Sequence, residues 1–174
     1  MMMLLLALLG CGPSTEDIAR NLQSANPAVR VDTAKIARNF GSDGVEKALI
    51  DALDDEIEQV QVHAIESLAE LEAKQAAPAL IAMVAAGEVP PQVLQAAVDT
   101  LGRLGDSEAV PTLIAYLEAR EQTSPPLNAI WALGYIEDHR GLDVLSRLRD
   151  SKDPYVRWNA NQALRNLRPP PAAD

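Results

Sequence analysis

Asp153-Pro154-Tyr155-Val156-Arg157-Trp158-Asn159-Ala160-Asn161-Gln162-Ala163-Leu164-Arg165-Asn166-Leu167 reads as one amphipathic helix with its start written out. Asp153 is a good N-cap, because its carboxylate can accept from the free amides of the first turn. Pro154 suits the first helical position, where no amide donor is missed. Val156, Ala160, Ala163, Leu164 and Leu167 follow at helical spacing and form one apolar face.

The pattern recurs upstream. Asn26-Pro27-Ala28-Val29-Arg30 copies Asp153-Pro154-Tyr155-Val156-Arg157 almost residue for residue. The place of Ala160 is taken by Thr33, Ala64, Ala97 and Ala129, and that of Leu164 by Ala37, Leu68, Leu101 and Leu133. Phe40, Leu71, Leu104 and Ile136 match Leu167, and the steps along each column are 31, 33, 32 and 31 residues. A second helix follows each of the first four copies, with Leu49, Leu80, Leu113 and Leu145 in one column. Two columns sharing one period of this length, split over two helices, predict an all-α fold, an α-solenoid of helix pairs.

These residues resemble the HEAT-like repeats of the phycobilisome-lyase type. The features that carry the resemblance are Asp/Asn-Pro-x-Val-Arg, the Ala and Leu columns, Leu104-Gly105-Asp106, and the run Ala109 to Leu117. The resemblance covers nearly all of residues 15 to 168. It implies an α-solenoid wound as a right-handed superhelix of HEAT-like helix pairs and says little about activity, since such repeats serve many roles.

The sequence has 174 residues and a net charge of -10, which excludes a phosphate-reading surface and hence a nucleic-acid partner. The charge is uneven. Residues 43 to 72 carry ten carboxylates against Lys47 alone, whereas residues 141 to 168 carry six basic residues against Asp143, Asp150 and Asp153.

Residues 1 to 10 are apolar and end at Cys11, the only cysteine. The run is too short to span a bilayer, which takes roughly 20 residues. It is expected to be an export signal. Leu8-Leu9-Gly10-Cys11 resembles the lipobox of bacterial lipoproteins, which makes Cys11 the expected lipidation site and the protein lipid-anchored on the extracytoplasmic side of the cell envelope, at the outer or the plasma membrane. The expected order is signal peptide 1–10, linker 11–16, repeat domain 17–168 and a disordered Pro-rich tail 169–174. Ile18 falls in the Leu49 column, so the helix around it is the second helix of an incomplete first repeat, a cap for the stack.

Catalytic and metal chemistry find little support. His63 and His139 lack the spacing of a metal site or of a nucleophile–base pair. Neither is followed by glutamate, as the iron-binding helical-repeat enzymes require. Asp51 to Glu58 lacks the spacing and turn glycine of a calcium loop; Asp54 and Asp55 read as helix caps. The expectation is no enzyme, no cofactor and no metal.

Binding surfaces are more legible. Family resemblance places the second helices on the concave face. Their outward columns run Ala48, Asp51, Asp55; Ala79, Ala82, Ala86; Thr112, Ala115, Ala119; and Val144, Arg147, Ser151. This predicts a smooth groove lined by residues such as Ala82 and Ala115, with Arg147 at one end. Trp131 and Tyr135 share columns with solvent-facing residues and lie one helical turn apart, so they are expected to form an exposed aromatic pair, a candidate protein-binding hot spot. Trp158 shares an apolar column and is expected to pack between repeats. The function these features predict is a scaffold or adaptor that binds protein. The alternative is a carrier or enzyme accessory holding a peptide or small ligand in the alanine-lined groove.

Overall fold

The structure is a computed structural model that describes residues 12–120 and 125–167. The expected lipidation site Cys11 and the expected tail 169–174 lie outside the described residues. Ten α-helices and no strand occur among the described residues: α1 (Thr15–Leu22), α2 (Pro27–Ile36), α3 (Asp43–Asp51), α4 (Glu58–Glu70), α5 (Ala77–Ala86), α6 (Pro91–Leu104), α7 (Val110–Glu118), α8 (Leu127–Ile136), α9 (Leu142–Leu148) and α10 (Pro154–Asn166). The chain divides into two compact units, Met1–Ala73 with α1 to α4 and Lys74–Asp174 with α5 to α10. The α-solenoid expected from the columns is the fold found.

The Ala160 and Leu49 columns translate directly into burial, whereas Leu164 and, in the Leu167 column, Phe40, Leu71 and Ile136 are only half-buried. Ala64, Ala97, Ala129 and Ala160 have no exposed surface, nor do Thr33 or the second-helix residues Leu49, Leu80, Leu113 and Leu145. Alanine at these positions lets first helices lie close to their neighbours. In the first unit α2 packs on α4 and α1 on α3; in the second α8 lies between α6 and α10. Ile18 is fully buried, and α1 packs as a second helix would. Within each unit a second helix also packs against the first helix that follows it, giving the pairs α1/α2, α3/α4, α5/α6, α7/α8 and α9/α10.

The caps are those the residues dictate. Asp153 accepts from the amides of Tyr155 and Val156 at 2.8 and 3.4 Å, and Asn26 from that of Ala28 at 3.0 Å. Ser14 and Asp17 form a reciprocal capping box on α1. The helix α4 departs from expectation. It begins at Glu58 with Ile57 as N-cap, so neither Asp54 nor Asp55 caps it. Asp55 accepts from the Ile57 amide at 2.9 Å and is held by Arg30.

Two other expectations are corrected by packing. Trp158 is 62% exposed and packs between no repeats, and Leu127 and Gln95 of the same column are exposed too. Ala48 and Val144 are buried, so the outward second-helix columns face solvent only in part.

Candidate functional site

Exposed large apolar side chains are concentrated in the second unit. Leu127, Trp131 and Tyr135 on α8, and Tyr155 and Trp158 on α10, are all of them among the described residues. Trp131 and Tyr135 stack with ring centroids 4.6 Å apart and planes at 27°, while 43% and 55% exposed. The helix that carries them is held by its opposite face, where Ala129, Ile130, Ala132 and Leu133 are buried. Its seating is close. A β-carbon at Gly134 would lie 2.6 Å from the Cα of Ala163 on α10, and one at Gly102 on α6 would lie 2.8 Å from Ala132. The Trp131 ring edge lies over Gly102, so the indole rests on the neighbouring helix and keeps its outer face open. The pair thus sits on a rigid element, which lowers the ordering entropy lost when a partner docks.

Asp99, in the Trp131 column on α6, is not the exposed residue its column suggests. Burial pushes its carboxyl above the usual carboxylate range, opposed by a hydrogen bond with Asn128.

The second helices provide a different surface. A cavity of about 540 Å3 lies along α5 and α7, lined by Ala86, Ala115 and Ala119 of the alanine rows, with Thr112, Tyr116 and Arg120 among the other walls. Ala82 is exposed but does not line it. Tyr116 and Arg120 went unremarked in the sequence, although their spacing of four on one helix was the available signal. The Arg120 guanidinium stacks over the Tyr116 ring, 4.1 Å from its centroid, and donates to the Tyr116 carbonyl at 3.3 Å. Arg147, expected at the groove's end, instead donates to Glu118 of α7 at 2.6 Å and ties α9 to α7.

The carboxylate-rich run of the first unit turns out to serve an internal ion pair. Arg30 on α2 donates from Nε and Nη2 to the two oxygens of Asp55 at 2.6 and 3.0 Å, and from Nη1 to the Ser24 carbonyl at 2.9 Å. Burial opposes ionisation of Asp55, but the hydrogen bonds from Arg30 and the Ile57 amide outweigh it and hold the carboxyl below its usual range. Among the described residues no cluster of three or more His, Cys, Asp or Glu is placed to hold a metal ion, and no helix is long and apolar enough to cross a membrane.

A family profile described as HEAT repeats matches residues 15–91 and 85–165. No curated protein sequence matches the chain. Among solved structures, the complex of CpcE and CpcF of phycocyanin lyase from a Nostoc species is similar with a TM-score of 0.74 and 24% identity, over 91% of this chain and 66% of the other. The chain therefore spans less than two thirds of that relative's length. A designed armadillo repeat protein in complex with the peptide (KR)4 is similar at a TM-score of 0.65 and 18% identity, over 88% of this chain and 82% of the other. An engineered protein is similar at 0.61 and 22%, over 88% and 78%. These likenesses show the fold. They also correct one expectation: the repeat architecture cannot be used to exclude an enzyme, because the same fold is built into phycocyanin lyase. A stack of helices can present reactive groups as readily as docking surfaces.

Proposed function

The chain belongs to the HEAT-repeat family, and from that premise we propose that it is a protein-docking module held by a lipid at the bacterial envelope. The observation that carries the docking is the stacked, half-exposed Trp131–Tyr135 pair on the rigid α8. Aromatic side chains supply large contact area with few torsions to freeze, which is why they dominate binding hot spots. The neighbouring repeat proteins that were solved with a protein or a peptide partner support the general mode. The lipid anchor rests on the apolar run ending at Gly10-Cys11. Several acyl chains hold a protein at a membrane where a single one does so only reversibly.

The test is the double substitution Trp131→Ala and Tyr135→Ala. Folding should remain cooperative, with a stability loss of about 1 kcal/mol because both side chains are partly solvated already. Binding to the partner recovered from membrane extracts should weaken by about 2 kcal/mol or more, read by calorimetry or surface capture. A double mutant that binds as before removes the pair from the interface.

A second reading is favoured by the α5–α7 cavity. There, the stacked Tyr116 and Arg120 side chains lie beside Ala115 and Ala119, a largely apolar setting suited to a small apolar ligand or peptide side chain. On this reading the protein is a carrier or enzyme accessory. Thermal shift with small apolar ligands separates the two: stabilisation that Tyr116→Ala abolishes and Trp131→Ala leaves intact belongs to the cavity.

A further inference from the structure

The main hydrogen bonds of the loop and first turn that open α2 recur at the start of α10. Ser24 Oγ accepts from the Asn26 amide at 3.2 Å, and Ser151 Oγ from the Asp153 amide at 3.2 Å. Asn26 and Asp153 cap, and Pro27 and Pro154 follow. Arg30 Nη1 donates to the Ser24 carbonyl at 2.9 Å; Arg157 Nη1 donates to the Ser151 carbonyl at 2.8 Å, and to that of Lys152 at 2.8 Å. The two guanidinium groups are therefore steered by the same backbone feature.

Their other edges differ. The Nε/Nη2 edge of Arg30 grips both oxygens of Asp55, and Glu56 lies 3.4 Å from Nη2. Asp55 and Glu56 come from the segment that opens the next first helix, α4. Among the described residues the same edge of Arg157 meets no carboxylate, and its flanks, Tyr155 and Trp158, are 72% and 62% exposed. A guanidinium pinned on one edge by carbonyls and open on the other is a pre-organised bidentate carboxylate receptor, since its rotamer entropy is already spent. Nearby in sequence the exposed charges are mixed, with Arg149, Lys152 and Arg165 against Asp150 and Asp153.

We infer that the open edge of Arg157, with Tyr155 and Trp158 beside it, receives an acidic residue at the start of a helix in a partner protein, as Arg30 receives Asp55. The internal pair is the template: a carboxylate for the fork, then a helix whose apolar side covers the flanking positions. A second copy of this chain stacked in repeat register does not supply the group. One repeat of 31 residues before Asp55 stands Ser24, which has no charge.

The probe is a synthetic peptide of the chain's own residues 54–70, which carries Asp55-Glu56 ahead of a helix, titrated into the full chain. The readout is the Arg157 Nε–Hε resonance, with the Trp158 indole N–H as a second reporter. Both should move saturably. A peptide with Asp55→Asn and Glu56→Gln should bind on the order of tenfold more weakly, as expected for loss of a charge-assisted bidentate pair. Arg157→Lys, which keeps the charge but not the fork, should weaken binding similarly while the remaining amide spectrum stays folded. Equal shifts from both peptides, or none at Arg157, overturn the inference. So does an Arg157 shift produced by removing residues 168–174 alone, which would make the chain's own tail the occupant. Self-association that Arg157→Gln abolishes would assign the face to a second copy and overturn it too.

Discussion

Thr33 stands where the other four repeats carry alanine, and it is fully buried with its Oγ1 unpartnered. A buried hydroxyl without a hydrogen bond loses its hydration and gains nothing in return. Thr33→Val keeps the branched shape and removes the hydroxyl, and should raise stability by about 1 kcal/mol in urea denaturation. At the opposite end of the register, Asp153→Ala removes the acceptor for two first-turn amides and should cost about 1 kcal/mol. Asp32→Ala, an exposed change within α2, should cost less than about 0.5 kcal/mol in the same assay. Equal losses at the two aspartates would show that the cap carries no weight.

The elements differ in how closely they approach. The helix α8 meets α10 where Gly134 faces Ala163 and α6 where Gly102 faces Ala132, with no room for a β-carbon on either glycine. Gly134→Ala would force the helices apart, and should cost about 2–3 kcal/mol as overpacking. Gly44 in α3 faces open space, so Gly44→Ala should instead gain about 0.5–1 kcal/mol from helix propensity. Thermal melts of the two variants should therefore move in opposite directions. The turn before each second helix shows a related economy. Asp106 and Asp138 each cap a single 3-10 turn, accepting from the amides of Glu108 and Arg140 at 2.9 Å. Hydrogen bonds from the Arg140 side chain hold the Asp138 carboxyl down at about 2, and the same arginine donates to the Ser107 carbonyl one repeat back, at 2.7 Å. This joins successive turns of the second unit.

For the whole molecule, the surface roles differ between units. The first spends its densest acidic segment partly on the Arg30 pair, while the second carries the exposed aromatics and the cavity. The proposed anchor concerns where the whole chain resides. Expressed in a bacterium with its own leader, the protein should partition into detergent and gain acyl mass on Cys11; Cys11→Ser should release it or leave the leader uncut. An unmodified Cys11 on a protein recovered without detergent would rule the anchor out.

The sequence by itself determined the repeat, the helix starts at Pro27 and Pro154, the buried columns, and the exposure of Trp131 and Tyr135. Each follows from local spacing, because a periodic stack forces equivalent positions into equivalent surroundings. The tertiary structure decided what depends on where the period breaks or which partner lies across the gap. Trp158 shares an apolar column yet faces solvent, as Leu127 and Gln95 of that column do, since apolar residue type alone does not place a position in the core. Asp55 binds Arg30 instead of capping α4, and Arg147 pairs with Glu118, because a long charged side chain settles on the nearest opposite charge in space. Tyr116 and Arg120 line a cavity only because α5 and α7 lie side by side, a juxtaposition that no spacing within one helix encodes.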